Sequence, residues 1–182
     1  MRLSTEWSAA RIISISLVLG CTLAAVIFVP LTTFGHWVRS QPQTSVLLLG
    51  PSMWPAINTF DVVTLASVDS VDRGVIISYR FGYGRSVHRV IGLPTETVTV
   101  QDGSITVTRG TVTQLLDEPY VQTARASSTS ITKALGPDEY LVIGDNRLWS
   151  QGLDVVPKTN IEGVVAKIIF PPWRVSCLRD PC

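Results

Sequence analysis

Three short runs hold residue types that can hydrolyse an acyl bond. Ser52 stands in Gly50-Pro51-Ser52-Met53-Trp54-Pro55. His88 opens His88-Arg89-Val90-Ile91-Gly92-Leu93-Pro94. Asp145 lies in Gly144-Asp145-Asn146-Arg147, with Ser150 and Asp154 shortly after. A serine hydroxyl must give up its proton as it attacks, so it needs a base beside it. Histidine suits that role because its unperturbed pKa near 6.5 leaves it mostly neutral at neutral pH. A carboxylate on the far ring nitrogen fixes the tautomer and stabilises the imidazolium. Backbone donors must also face the developing oxyanion. Of the two histidines, His36 sits beside an apolar stretch and reads as interfacial, so His88 is the candidate base.

Each run also has a plainer reading. The serine run can be an ordinary Pro-bounded turn whose Met53 and Trp54 fold into the core. His88 can be a hydrogen-bonded core histidine. Gly144–Arg147 can be a polar turn after a strand. If the chemical reading holds, Met53, Trp54 and Pro55 form a rim that touches lipid or an apolar peptide, and kcat/KM rises through a pKa of roughly 6–7.

The elements that must position these residues follow from hydropathy. No charged side chain occurs from Ile12 to Gly35. A helix crosses a bilayer with about 20 apolar residues, so residues 12–33 are expected to be a transmembrane anchor. Arg2 and Arg11 precede it and only Arg39 closely follows, which favours a cytoplasmic N-terminus (residues 1–11). The apolar run is longer than that of a cleavable signal. Residues 34–44 read as a linker, residues 45–174 as one catalytic domain and residues 175–182 as a tail. The expected location is the plasma membrane, crossed once, with the domain outside the cytoplasm.

Beyond the linker, helical periodicity gives way to short β-branched runs between turn residues: 45–49, 62–66, 75–79, 87–93, 97–101, 104–108, 140–143 and 163–170. That spacing predicts a mainly β, antiparallel domain. Asp102-Gly103 between two alternating strands suits a type I′ hairpin turn. Residues 124–132, rich in Ser and Thr, read as a loop. The prolines after Phe170 are expected to end the ordered domain.

A net charge of +1 offers nothing to draw nucleic acid. Cys21 reads as a small apolar residue of the span, the other two cysteines and two distant histidines are too few for a zinc site, and the chemistry needs no cofactor. Cys177 and Cys182 are near enough in sequence to close a short loop in an oxidising compartment.

Taken together, the runs resemble the membrane-bound type I signal peptidases. Those enzymes carry, in this order behind an N-terminal anchor, Ser-Met-x-Pro, Lys-Arg-Val-Ile-Gly-Leu-Pro and Gly-Asp-Asn-Arg. The chain matches them at Ser52, Met53 and Pro55, at Arg89 through Pro94, and at Gly144 through Arg147. Asp61-Val62-Val63 and Glu118-Pro119-Tyr120 resemble weaker boxes. The resemblance implies a β-rich serine endopeptidase that removes signal peptides with small residues before the cut, working at a lipid bilayer. It implies Ser52 as nucleophile, with its own backbone N–H holding the oxyanion. Gly50 lacks the hydroxyl that some members place there, and Gly144 and Ser150 support the site.

Two departures matter. Where bacterial members have a lysine base, this chain has His88, and its lysines (Lys133, Lys158 and Lys167) lie elsewhere. The endoplasmic-reticulum-type branch uses a Ser/His pair with an aspartate nearby. After the third box the family continues Ser-x-Asp-Ser-Arg; here Ser150 is followed by Gln151-Gly152-Leu153-Asp154. Asp154 is therefore the leading partner for His88, ahead of Asp145. Two alternatives stay open: a peptidase dedicated to one membrane or pilus-type substrate, and a degenerate homologue kept as a binding module.

Overall fold

The computed structural model describes residues 45–68, 70–121, 131–150 and 152–178. The expected anchor, the linker and Cys182 lie outside the described residues. No helix among the described residues is long and apolar enough to cross a membrane.

The described chain is mainly β, in two antiparallel sheets. The large sheet has the order β1-β2-β11-β3-β4-β9-β10, with β12 paired to β11. These strands are β1 (Ser45–Leu47), β2 (Val62–Ala66), β3 (Ile76–Phe81), β4 (Gly84–Gly92), β9 (Glu139–Ile143), β10 (Asp154–Pro157), β11 (Ile161–Phe170) and β12 (Ser176–Cys177). The small sheet has the order β7-β6-β5-β8, from β5 (Thr97–Gln101), β6 (Ser104–Arg109), β7 (Val112–Leu115) and β8 (Ile131–Ala134).

Burial follows the alternation of side chains along each strand. On β5 and β6, Val98, Ile105 and Val107 turn inward while Thr97, Thr99, Thr106 and Thr108 turn outward. The turn between them has φ of 51° at Asp102 and 80° at Gly103, the positive pair that a type I′ turn requires. Three apolar clusters form the core. One gathers Val46, Leu48, Met53, Ile57, Val63 and Val87 beneath the Ser52 turn. A second runs through Ile77, Tyr79, Val90, Val142 and Val156 on one face of the large sheet. The third joins the two sheets through Ile91, Val98, Ile105 and Leu141.

The domain does not end at the prolines after Phe170. A short 3-10 turn, Pro172–Arg174, leads into β12, which pairs with Lys167 and Ile168 of β11. Leu178 then packs on the first cluster. Arg174 also reaches back, its Nε 3.0 Å from the buried carboxylate of Asp61. Cys177 is disulfide-bonded. Of the expected 124–132 loop, Ile131 and Thr132 belong to β8, and the remainder lies outside the described residues.

Candidate active site

The Ser52 turn is built by local hydrogen bonds. Trp54 N–H donates to Pro51 O at 3.1 Å, and Ile57 N–H donates to Met53 O at 2.9 Å. That single helical turn sends alternate side chains opposite ways. Met53 is fully buried in the core, whereas Trp54 is 45% exposed. The expectation that Met53 touches lipid or substrate is therefore corrected: it anchors the turn from below, because an apolar side chain gains more from the core than from a rim. Pro55 is half-buried, after a cis Trp54-Pro55 bond.

The third box holds the turn from the side. Asn146 N–H donates to Ser52 O at 2.9 Å, and Asn146 Nδ2 donates to Pro51 O at 3.1 Å. Gly144 N–H donates to Ser150 Oγ at 2.9 Å. Gly144 lies so close that a Cβ there would collide with Ser52 O and come within 2.7 Å of Ser150 Cβ. Thus Gly144 lies directly against the Ser52 run, with Ser150 packed on Gly144.

Asp145 is spoken for elsewhere. Its carboxylate, 1% exposed, takes a bidentate grip from Arg89, with Nε–Oδ1 at 2.8 Å and Nη2–Oδ2 at 2.6 Å. Arg89 also lies 4.0 Å over the Tyr120 ring. Arg147 pairs with Glu118 and donates to Gly144 O at 3.1 Å. Tyr120 bonds Glu118 at 2.9 Å. This frame explains Arg89, Arg147 and the Glu118-Pro119-Tyr120 run: they lock the 144–150 loop in place.

His88 is brought to the same region by register. β4 pairs with β3 through Ile77↔His88 and Tyr79↔Ser86. It then pairs with β9 from Arg89↔Ile143 onward, so Gly144 follows directly beside His88. Asp154 opens β10 opposite Val142, whose own partner is Val90. Tyr79, His88 and Asp154 consequently share one face of the sheet. Asp154 Oδ2 lies 3.7 Å from His88 Nδ1, too far for a hydrogen bond. Tyr79 fills the gap: its hydroxyl is 2.9 Å from Nδ1 and donates to Asp154 Oδ2 at 2.7 Å. The sequence reading did not include Tyr79. The available signal was the Phe81–Gly84 hairpin, whose register puts Tyr79 diagonal to His88, within reach of an aromatic side chain.

Ser52 and His88 both line a cleft of about 250 Å³, with Val46–Gly50 and Arg85–Val87 as the rest of its wall. Gly50 has open space where a side chain would be.

Burial lowers the His88 pKa below its ordinary 6.5, while the Asp154 and then the Asp145 carboxylates pull it partly back. The His88 imidazole is therefore neutral at neutral pH. We expect kcat/KM to rise with pH through a midpoint below 6.5 and to be flat by pH 7, as a rate profile on a precursor would record. Stability shifts in the same window: the unfolded chain takes up this proton first, so stability is lost as pH falls from 6.5 through the folded value.

The family model described as signal peptidase, peptidase S26, matches residues 17–171. The chain belongs to the signal peptidase family. Signal peptidase I S of Bacillus subtilis (strain 168) is 27% identical over 187 residues, covering 93% of this chain and 90% of its own. Signal peptidase I T of the same strain is 31% identical over 144 residues, covering 69% and 72%. Signal peptidase I of Bacillus licheniformis is 29% identical over 182 residues, covering 91% and 88%. A crystal structure of a signal peptidase I from Enterococcus faecalis V583 aligns at 25% identity and a TM-score of 0.43, over 54% of this chain and 98% of that one. The signal peptidase match spans all three boxes, the His88 position and Asp154.

Proposed function

We propose that Ser52 attacks the carbonyl at the cleavage site of a membrane-borne precursor while His88 takes its proton and hands it to the leaving amine. As a signal peptidase family member, the chain is a serine endopeptidase that removes signal peptides. The observation that carries the residue assignment is the single cleft lined by both Ser52 and His88. The Ser52 N–H holds the oxyanion, and Asp154 supports His88. Asp145 serves the loop rather than the base, since Arg89 occupies both of its oxygens.

Two strand edges flank the cleft. The ladder of β4 with β9 begins at Arg89, so residues 84–88 pair on one side only among the described residues. β1 likewise pairs only with β2. An extended peptide can add its main chain to such edges, with side-chain pockets supplying specificity. Small residues such as Ala at the first and third positions before the cut suit a cleft of about 250 Å³. Leu49 and Trp54, exposed beside Ser52, suit contact with the bilayer interface. The 12–33 anchor would raise the effective concentration of enzyme and substrate by holding both in one membrane.

The test is cleavage of an Ala-x-Ala precursor in detergent or liposomes, with Ser52→Ala and His88→Ala beside the parent. A companion variant adds function. Gly50→Ser meets open space and puts a hydroxyl beside the nucleophile. We expect kcat to rise by up to about tenfold, a fraction of the 10²–10³ that loss of an established oxyanion donor costs. An unchanged kcat would leave the backbone donor as the sole oxyanion contact.

A further inference from the structure

Tyr79 is 1% exposed, and nothing in the three boxes calls for it. Its hydroxyl nevertheless lies between the two groups that a serine peptidase usually brings into direct contact. The hydrogen-bond order there is set by counting protons. A phenol has one proton, and the Tyr79 proton goes to Asp154 Oδ2 at 2.7 Å. An ionised carboxylate offers only acceptors, so it cannot donate back. The contact between Tyr79 O and His88 Nδ1 at 2.9 Å then needs its proton from the imidazole. A neutral imidazole has one N–H. With that proton on Nδ1, the lone pair is on Nε2.

We propose that Tyr79 is a positioning residue of this active site, relaying the Asp154 carboxylate to His88 and holding the ring as the Nδ1–H tautomer with Nε2 free to act as base. The inference rests on the Ser52/His88 reading and deepens it. No proton travels along the relay. When Ser52 attacks, its proton goes to Nε2, and the Nδ1–H of the imidazolium stays bonded to a phenol oxygen that Asp154 polarises. Burial, and then the bond and charge of Asp154, raise the Tyr79 pKa well above its ordinary 10.0, so the relay keeps its hydroxyl proton throughout the working range. The arrangement also bridges a 3.7 Å gap that a direct bond cannot close.

The experiment compares full-length parent, Tyr79→Phe, Asp154→Ala, the double variant and His88→Ala. It measures kcat and KM on an Ala-x-Ala precursor and melting temperature. In parallel, ¹⁵N NMR of the imidazoles is recorded on the Ser52→Ala protein, with and without Tyr79→Phe. Only two histidines need assigning. The relay predicts that Tyr79→Phe lowers kcat by about 10- to 100-fold, by analogy with removing the hydrogen-bond partner that orients a metal-ligating histidine, with KM unchanged. It predicts that the double variant is no worse than Asp154→Ala alone. It predicts His88 as the Nδ1–H tautomer, becoming mixed when the hydroxyl is removed. Parental kcat in Tyr79→Phe beside an inactive His88→Ala would sink the relay and leave the Ser/His reading standing. Multiplicative losses in the double variant would also overturn it, because Asp154 would then act without Tyr79. Full activity in His88→Ala would sink the base assignment itself. If Tyr79→Phe fails to fold, the tautomer in the Ser52→Ala protein still decides: Nε2–H there refutes the proposal.

Discussion

Ser52→Ala and His88→Ala are each expected to lower kcat on an Ala-x-Ala precursor by about 10⁵–10⁶, the scale on which loss of a serine or its histidine base is felt in a Ser/His site. The losses should not multiply in the double variant, since nucleophile and base act as one unit. The fold should survive in Ser52→Ala. The bonds that hold the turn use the main-chain oxygens of Pro51, Ser52 and Met53, and alanine keeps all of them. A binding-only homologue would give the opposite pattern, with no cleavage by the parent and unchanged precursor binding in the variant. Parental cleavage by Ser52→Ala, with melting unchanged, would remove the nucleophile assignment. Those outcomes require only gel-based cleavage and a thermal melt.

Gly144→Ala should damage the site, because among the described glycines a Cβ there makes the tightest contact. Its Cβ would meet Ser52 O and lie within 2.8 Å of Ser150 Oγ. Neither obstacle is a free side-chain end. Ser52 O accepts from Asn146 N–H, and Ser150 Oγ accepts from Gly144's own N–H. The turn has to back away from the loop, carrying Ser52 with it. We expect kcat to fall about 100-fold, the cost of a misplacement of about 1 Å, and stability to fall by about 1–3 kcal/mol from overpacking. KM should change less, because the strand edges that would receive substrate lie on β1 and β4. A Gly144→Ala protein with parental kcat would mean that the 144–150 loop does not set the nucleophile's position.

Much of this was readable from the chain, and the rest was hidden for identifiable reasons. β5 and β6 were plain because Thr and Val alternate about an Asp-Gly turn. β7 and β8 escaped because all their residues are exposed, so no apolar face marks them. β10 is four residues long and contains Pro157; β12 has two residues and exists only by pairing with β11. In the site, Ser52, His88 and Gly144 stood out by residue type and order. Met53 was misjudged because a turn sequence does not say which of two adjacent apolar side chains faces inward. Tyr79 was missed because its relation to His88 needs the register of a hairpin, a fact about pairing rather than composition. The same register separates Asp154, on the His88 face, from Asp145, which Arg89 holds.

The two strands beside the cleft that pair on one side only among the described residues bear on how such an enzyme is blocked. A flexible peptide must surrender backbone freedom at about 1–2 kcal/mol per residue to lie straight between them. A macrocycle already locked into an extended conformation would have met most of that loss before it arrived. Potency against this cleft should therefore rise with the stiffness of an inhibitor's backbone.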